Sequence, residues 1–210
     1  MTRGIGADLC LTHCGTILAG ASRRNAVAKF ESVRVLTGAN KSRKLSSRVS
    51  GATRPTSARV RKSVFDILGS RFGIEGMTVL DLFAGTGALG IEALSRGARY
   101  AWFVDRSRES IRTIRENLSR LDVAQERYRV VTKDYGHFLG GYFEEKFDIA
   151  FLDPPYAFSE WKELLAKVPA TVMVCESASP VETPGGLEKL LERKYGTTLV
   201  TLIIDSKSGS

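Results

Sequence analysis

The sequence predicts an α/β protein: a mostly parallel sheet with helices on both faces and an antiparallel last pair of strands, preceded by a small basic β-hairpin. Three observations predict it. Seven short, apolar, β-prone runs are spread over residues 77–204. Most of them alternate with capped helical stretches, the arrangement that makes parallel crossovers. The last two, Leu187 to Tyr195 and Thr198 to Ile204, are joined by a turn at Gly196, which is too short for a crossover and demands an antiparallel return.

Composition sets the outer limits. With 210 residues, 43% of them hydrophobic, the chain can bury a core without staples. No apolar run approaches the ~18 residues of a membrane span. A soluble protein with no membrane partner is expected, as a cytoplasmic monomer. Cys10, Cys14 and Cys175 form no disulfide framework, and His13 between the first two lacks further ligands nearby, so ordinary reduced thiols and no metal are expected. His13 and His137 are the only histidines. Ser-His-Asp chemistry has almost nothing to draw on.

The net charge of +8 is unevenly placed. Residues 1–62 carry 13 Lys and Arg against Asp8 and Glu31, whereas residues 63–210 carry 18 against 21 acids. A basic arm on a nearly neutral body is the footprint of a polyanion binder, and nucleic acid is the favoured partner.

Residues 1–31 show little periodicity and read as a disordered extension without assigned function. Residues 32–53 form the basic arm. Val33 to Leu36 is a short strand, Gly38-Ala39-Asn40 a turn, and Lys41 to Arg48 a return whose outer face carries Arg34, Lys41, Arg43, Lys44 and Arg48. Few acids balance these cations, so phosphate contact is expected. Residues 54–210 make the main domain. Arg54-Pro55-Thr56 leads into a helix capped by Thr56 or Ser57, with Val60, Val64, Ile67 and Leu68 on one face and Arg59, Arg61 and Lys62 off it. Gly69 and Gly73 end it.

Met77 to Leu82 is the first core strand. It enters Phe83-Ala84-Gly85-Thr86-Gly87-Ala88-Leu89-Gly90, a G-x-G-x-x-G loop that follows a strand and opens a helix from Ile91 to Arg96. The next strand, Tyr100 to Val104, ends at Asp105, an acid placed to accept both hydroxyls of a ribose. Either a dinucleotide or S-adenosylmethionine suits this much. Asp81, at the tip of the first strand, repels a pyrophosphate but suits the amino group of a methionine moiety, which favours the methyl donor. Ser107 caps a helix whose buried stripe is Ile111, Ile114 and Leu118. Tyr128 to Thr132 is the third strand, and Asp134 after it stands either where an adenine amino group would lie or as a helix cap. Ser159 can cap a later helix bearing Trp161, Leu164 and Leu165, and Thr171 to Glu176 is a fifth strand.

The fourth strand, Phe147 to Leu152, carries the chemistry at its end. Asp153-Pro154-Pro155-Tyr156 sets an acid, a rigid turn with outward carbonyls and an aromatic plate within four residues. Those are the parts needed to hold a flat ring that bears an amine.

Taken together, Asp81 to Gly90, Asp105, Asp134 and Asp153 to Tyr156 resemble the class I S-adenosylmethionine-dependent methyltransferases, of Rossmann-like fold. Arg54-Pro55-Thr56, Arg59-Val60-Arg61 and the closing Arg193 to Thr198 narrow the likeness to the bacterial 16S ribosomal RNA guanine-N2 methyltransferase family. Ser42, Lys62 and Asp66 depart from its pattern. The resemblance implies S-adenosylmethionine as cofactor, held by Asp81, Phe83, Ala84, Gly85, Gly87, Asp105, Arg106 and Asp134. It implies catalysis by Asp153, Pro154, Pro155 and Tyr156. It also implies contact between 16S RNA or the 30S particle and Arg34, Lys41, Arg43, Lys44, Arg54, Thr56, Arg59 and Arg61. The acid motif is shared with adenine-N6 methyltransferases acting on DNA or RNA. A non-catalytic RNA-binding assembly factor is a further alternative. An NAD-linked dehydrogenase lacks an evident hydride-transfer acid or base.

Overall fold

The structure is a computed structural model and describes residues 33–46, 57–141, 143 and 146–206. Its elements are α1 (Ala58–Arg71), β1 (Thr78–Asp81), α2 (Ala88–Ser95), β2 (Tyr100–Asp105), α3 (Arg108–Arg120), β3 (Tyr128–Thr132), α4 (Tyr135–Leu139), β4 (Phe147–Leu152), α5 (Trp161–Lys167), β5 (Ala170–Ser177), β6 (Leu187–Tyr195) and β7 (Thr198–Asp205). The strands form one sheet in the order β3-β2-β1-β4-β5-β7-β6. β1 to β5 are parallel, and β7 inserts antiparallel between β5 and β6. The α/β class, the seven strands and the antiparallel close are as expected. The last strand of the sequence lies one position in from the edge.

The β-runs are apolar throughout because both faces are covered. Val79, Ile149, Phe151, Val172 and Val174 point into one core with α1, α2, α3 and the hairpin. Leu80, Ala150, Leu152, Met173 and Cys175, at alternate positions, point into the other with α4 and α5. Cys175 is a core residue whose thiol burial pushes well above its ordinary pKa.

Local boundaries follow identifiable side chains. Ser57 caps α1 by accepting from the Val60 N–H at 3.2 Å, and Ser107 caps α3 through Ser110. Gly69 does not end α1. It is exposed with open space where a Cβ would stand, so the helix continues to Arg71 and the chain turns at Gly73, φ +79°. Ser159 does not cap α5, which starts after Glu160 without a side-chain cap. The helix after the glycine loop begins at Ala88, three residues before expectation.

The arm is a hairpin, with an antiparallel bridge between Arg34 and Lys44. Its apolar side is not free: Val33, Val35 and Leu45 are buried in the main core. Polar side chains of α2 and α3 pin it. The buried Glu92 of α2 accepts from the Leu36 and Thr37 N–H groups at 2.7 and 3.1 Å and from the Thr37 hydroxyl at 2.9 Å. Ser95 accepts from the Asn40 N–H and donates to the Thr37 carbonyl. Asn117 of α3 bonds both backbone groups of Ser46. Gly38 (φ +80°) lies so close to α2 that a Cβ would come within 1.7 Å of the Ser95 carbonyl oxygen.

Candidate active site

Strand order reverses between β1 and β4, the place where open α/β sheets bind ligands at the carboxyl ends of their strands. Register brings the expected acids to that edge. Asp81 pairs with Phe103 of β2 and Phe151 of β4, so Asp105 and Asp153 each lie two residues beyond a neighbour of Asp81. Asp153 and Asp105 both act electrostatically on Asp81.

The glycine loop between β1 and α2 is shaped by contacts the sequence does not display. Gly85 and Gly87 take φ of +52° and +76°, the left-handed region that glycine tolerates. A Cβ on Gly90 would stand 2.3 Å from the Phe103 ring, so this glycine serves helix-on-strand packing. A Cβ on Gly85 would meet nothing nearer than the Phe83 carbonyl at 3.9 Å, which leaves room above the loop. The Gly85 N–H donates to Asp105 Oδ2 at 2.9 Å, and the Ser107 N–H donates to Oδ1 at 2.7 Å. Loop and strand-tip acid are thus tied together.

Asp81 is buried, and its Oδ2 accepts from the Gly90 N–H at 2.9 Å. Burial pushes its carboxyl up to about 7. The Asp153 and Asp105 charges add to this, and the Gly90 bond opposes it. A cationic amine placed beside it would restore the carboxylate. Asp134 is the N-cap of α4, accepting from His137 N–H at 3.0 Å with a 2.5 Å contact to His137 Nδ1. Those His137 bonds hold its carboxyl below the usual range. Phe83 and Ala84 lie in the loop, partly buried and buried, and Arg106 is exposed beside Asp105.

At the tip of β4, Pro154 is buried, Asp153 half-buried and Pro155 exposed. The Pro155 carbonyl accepts from the Phe158 N–H at 2.8 Å, closing the turn. Tyr156 is 72% exposed, alone among the described large hydrophobic side chains. Two residues on, Phe158 belongs to an aromatic cluster that the sequence expectations did not group: Phe83, Tyr135 and Phe158 pack at 5.4 to 6.0 Å between ring centres, and Trp161 backs Phe158 at 5.3 Å. The Tyr135 hydroxyl donates to Glu160, which raises its pKa to about 12. The available signal is an aromatic three residues past Pro155, with another just after Asp134.

The cations divide. Arg34, Lys41, Arg43, Lys44 and Arg59 are exposed. Arg43 also reaches α3, with Asp122 Oδ2 at 3.3 Å and the Arg120 carbonyl as acceptors. Arg61 corrects the expectation of RNA contact. It is 2% exposed, donates to the Arg34 carbonyl at 2.7 Å and lies between the charges of Glu92 and Glu176. Burial lowers its pKa and those two acids offset the effect, so it ties α1 to the hairpin and cannot reach a nucleic acid. Arg54 and Thr56, with Arg48, Cys10, Cys14 and His13, lie outside the described residues.

Comparison with known proteins bears on the same residues. A family model described as "Conserved hypothetical protein 95" matches residues 33–204, a span holding the hairpin, the glycine loop and the proline turn. The chain belongs to this family. It is 36% identical over 182 residues to the Bacillus subtilis protein called "Putative rRNA methyltransferase YlbH", covering 81% of this chain and 97% of that one. It is 32% identical over 174 residues to the Haemophilus influenzae ribosomal RNA small subunit methyltransferase D, covering 78% and 89%. Among solved structures, the Escherichia coli protein described as "Putative methyltransferase yhhF" superposes with a TM-score of 0.71 at 26% identity, covering 83% of this chain and 98% of that one. The fold is therefore that of the class I methyltransferases.

S-adenosylmethionine is the donor of that class, and the residues fit it. The room above Gly85, the buried acid at Asp81 and the Asp105 carboxylate tied to the loop form one polar strand edge with space for such a ligand. Among the described residues no helix is long and apolar enough to cross a membrane.

Proposed function

We propose that this family member transfers a methyl group from S-adenosylmethionine to the exocyclic N2 of a guanine in 16S ribosomal RNA. One observation carries the reading. The Asp153 to Tyr156 turn stands across the switch point from the glycine loop, with its aromatic plate facing solvent. The small-subunit methyltransferase relative supports the choice of RNA. The guanine is inferred from the resemblance, since the motif would hold any flat amine.

An aryl amine is a poor nucleophile because its lone pair is delocalised into the ring. Asp153 and the carbonyl of Pro154 accept its two hydrogens and turn the lone pair out of conjugation. Tyr156 stacks on the ring, which must leave its own stack to arrive. When bound, S-adenosylmethionine supplies an electrophilic methyl carbon whose bond pair stays on sulfur. Asp153 need not take a proton before transfer, because the alkylated nitrogen is acidic and afterwards loses its surplus proton to solvent water, directly or by way of the Asp153 carboxylate. The gain is positioning and electrostatics. Asp81, Gly85 and Gly87 hold the methionine end, Asp105 with Arg106 the ribose, and Asp134 the adenine, while Phe83 and Ala84 floor the loop. Arg34, Lys41, Lys44 and Arg59 bind phosphates without reading sequence.

In labelled-methyl transfer to 30S particles lacking the modification, Asp153→Ala is expected to lower kcat by at least about 100-fold. Binding of S-adenosylhomocysteine stays within about twofold of wild type, a shift below ~0.5 kcal/mol. A variant that keeps its kcat removes Asp153 from the mechanism.

A further inference from the structure

The exposed face of α1 is not an ordinary solvated surface. Arg59, Lys62, Ser63 and Asp66 recur at helical spacing opposite Val60, Val64 and Leu68. They form one wall of an open groove of about 490 Å³ whose other wall is Arg193, Lys194 and Tyr195 from the end of β6. The Ser63 and Tyr195 hydroxyls bond across its floor. Four cations face one acid, and that acid, Asp66, pairs with Lys62 at 2.6 Å. Among the described residues no carboxylate lies within ion-pairing distance of Arg59, Arg193 or Lys194.

An edge strand carries charge to prevent pairing with another chain. On β6 that need is met by a balanced pair, Lys189 with Glu192 at 2.9 Å. Arg193 and Lys194 are surplus to it. Their place in the sheet gives them a use. Leu152 is level with Cys175, Ser177 with Leu199, and Thr198 with Tyr195. The groove therefore opens at the same carboxyl edge as Asp153, three strands away. At ~4.8 Å per strand that is roughly 14 Å, or about four nucleotides of helical rise.

We propose that this groove binds the RNA backbone on the side of the methylated base away from the glycine loop. Arg59, Arg193 and Lys194 contact phosphates, and the bonded hydroxyls of Ser63 and Tyr195 stiffen the floor. The inference rests on the RNA substrate proposed above, and joins to Arg59 a second wall, Arg193 and Lys194, which that reading does not contain.

The test measures binding to 30S particles across about 50 to 200 mM salt, where each lost phosphate contact lowers the slope of log K against log[salt] by ~0.7–0.9. The double variant Arg193→Ala with Lys194→Ala should lose about 1.4–1.8 of slope, and Arg59→Gln alone about half of that. The charge-preserving pair Arg193→Lys with Lys194→Arg should keep the wild-type slope. S-adenosylhomocysteine binding, measured by calorimetry, should be unchanged in all three and reports that each is folded. Wild-type slopes in both Arg59→Gln and the double variant overturn the groove while leaving the methyltransfer reading intact. If the wild-type protein neither binds nor methylates the particle, both readings fall.

Discussion

With Asp81 holding the donor's amine as proposed, donor binding should depend on pH. The Asp81 carboxyl is pushed up to about 7 by burial, so the folded protein holds a proton there that the unfolded chain releases near pH ~4. The neutral form's contribution to stability is complete below pH ~4 and is lost as pH rises through about 7. Binding runs the other way, because a cationic amine prefers the carboxylate. S-adenosylhomocysteine should bind more tightly at pH 8 than at pH 6, with proton release in calorimetry. Asp81→Asn should flatten that dependence, weaken binding at pH 8 and raise Tm there relative to wild type. Equal pH profiles for variant and wild type would remove Asp81 from the donor site. Tyr156 is tested by a pair of changes. Tyr156→Phe keeps the stacking plate and should keep kcat/KM for RNA. Tyr156→Ala should lose about five- to 160-fold, the worth of ~1–3 kcal/mol of base stacking. Equal losses in both would mean the hydroxyl matters more than the ring. Asp153 to Tyr156 was legible in the sequence because its acid, turn and aromatic are consecutive and the strand before them is local. Arg61 was not. Its compensating acids Glu92 and Glu176 sit on α2 and β5, and no local pattern joins them to α1.

The hairpin is the element whose role changes most between sequence and structure. Its charges, turn and strand were legible from Val33 to Lys44, and Gly38 marked the bend. Its burial was not, because alternate Val33 and Val35 read equally well as a free ribbon. Glu92 holds it with three acceptor contacts while also accepting from Arg96 Nε at 2.8 Å. Asn117 then carries the connection onward, donating to the Ser46 carbonyl at 3.2 Å and to the Thr86 carbonyl of the glycine loop at 2.9 Å. Arm and donor loop therefore share one buried amide. Glu92→Ala should cost about 3–5 kcal/mol in urea unfolding, since it strands Arg61 beside a single remaining acid. Hydrogen exchange at the Leu36 and Thr37 amides should accelerate more than at β4. A loss under ~1 kcal/mol would show that the hairpin's apolar contacts alone retain it.

At the scale of the whole chain the charge is divided: residues 1–62 balance to +11 and residues 63–210 to −3. Among the described residues, the cations of the first part are exposed apart from Arg61, while Asp81, Asp105 and Asp153 gather at the carboxyl edge of the sheet. Under the proposed function the cations meet a nucleic acid and the strand-tip acids a cationic donor, so the two ligands of opposite sign use different groups. The sheet was legible down to strand count because buried parallel strands read as continuous apolar runs. The insertion of β7 between β5 and β6 was not, since a hairpin can close on either side of its partner. The central claim is the identity of the amine held by Asp153. Nucleoside mass spectrometry of 16S RNA, after incubation of unmodified 30S particles with protein and labelled S-adenosylmethionine, tests it most directly. N2-methylguanosine at a single position is the expected product, and N6-methyladenosine as the sole labelled nucleoside would contradict the account.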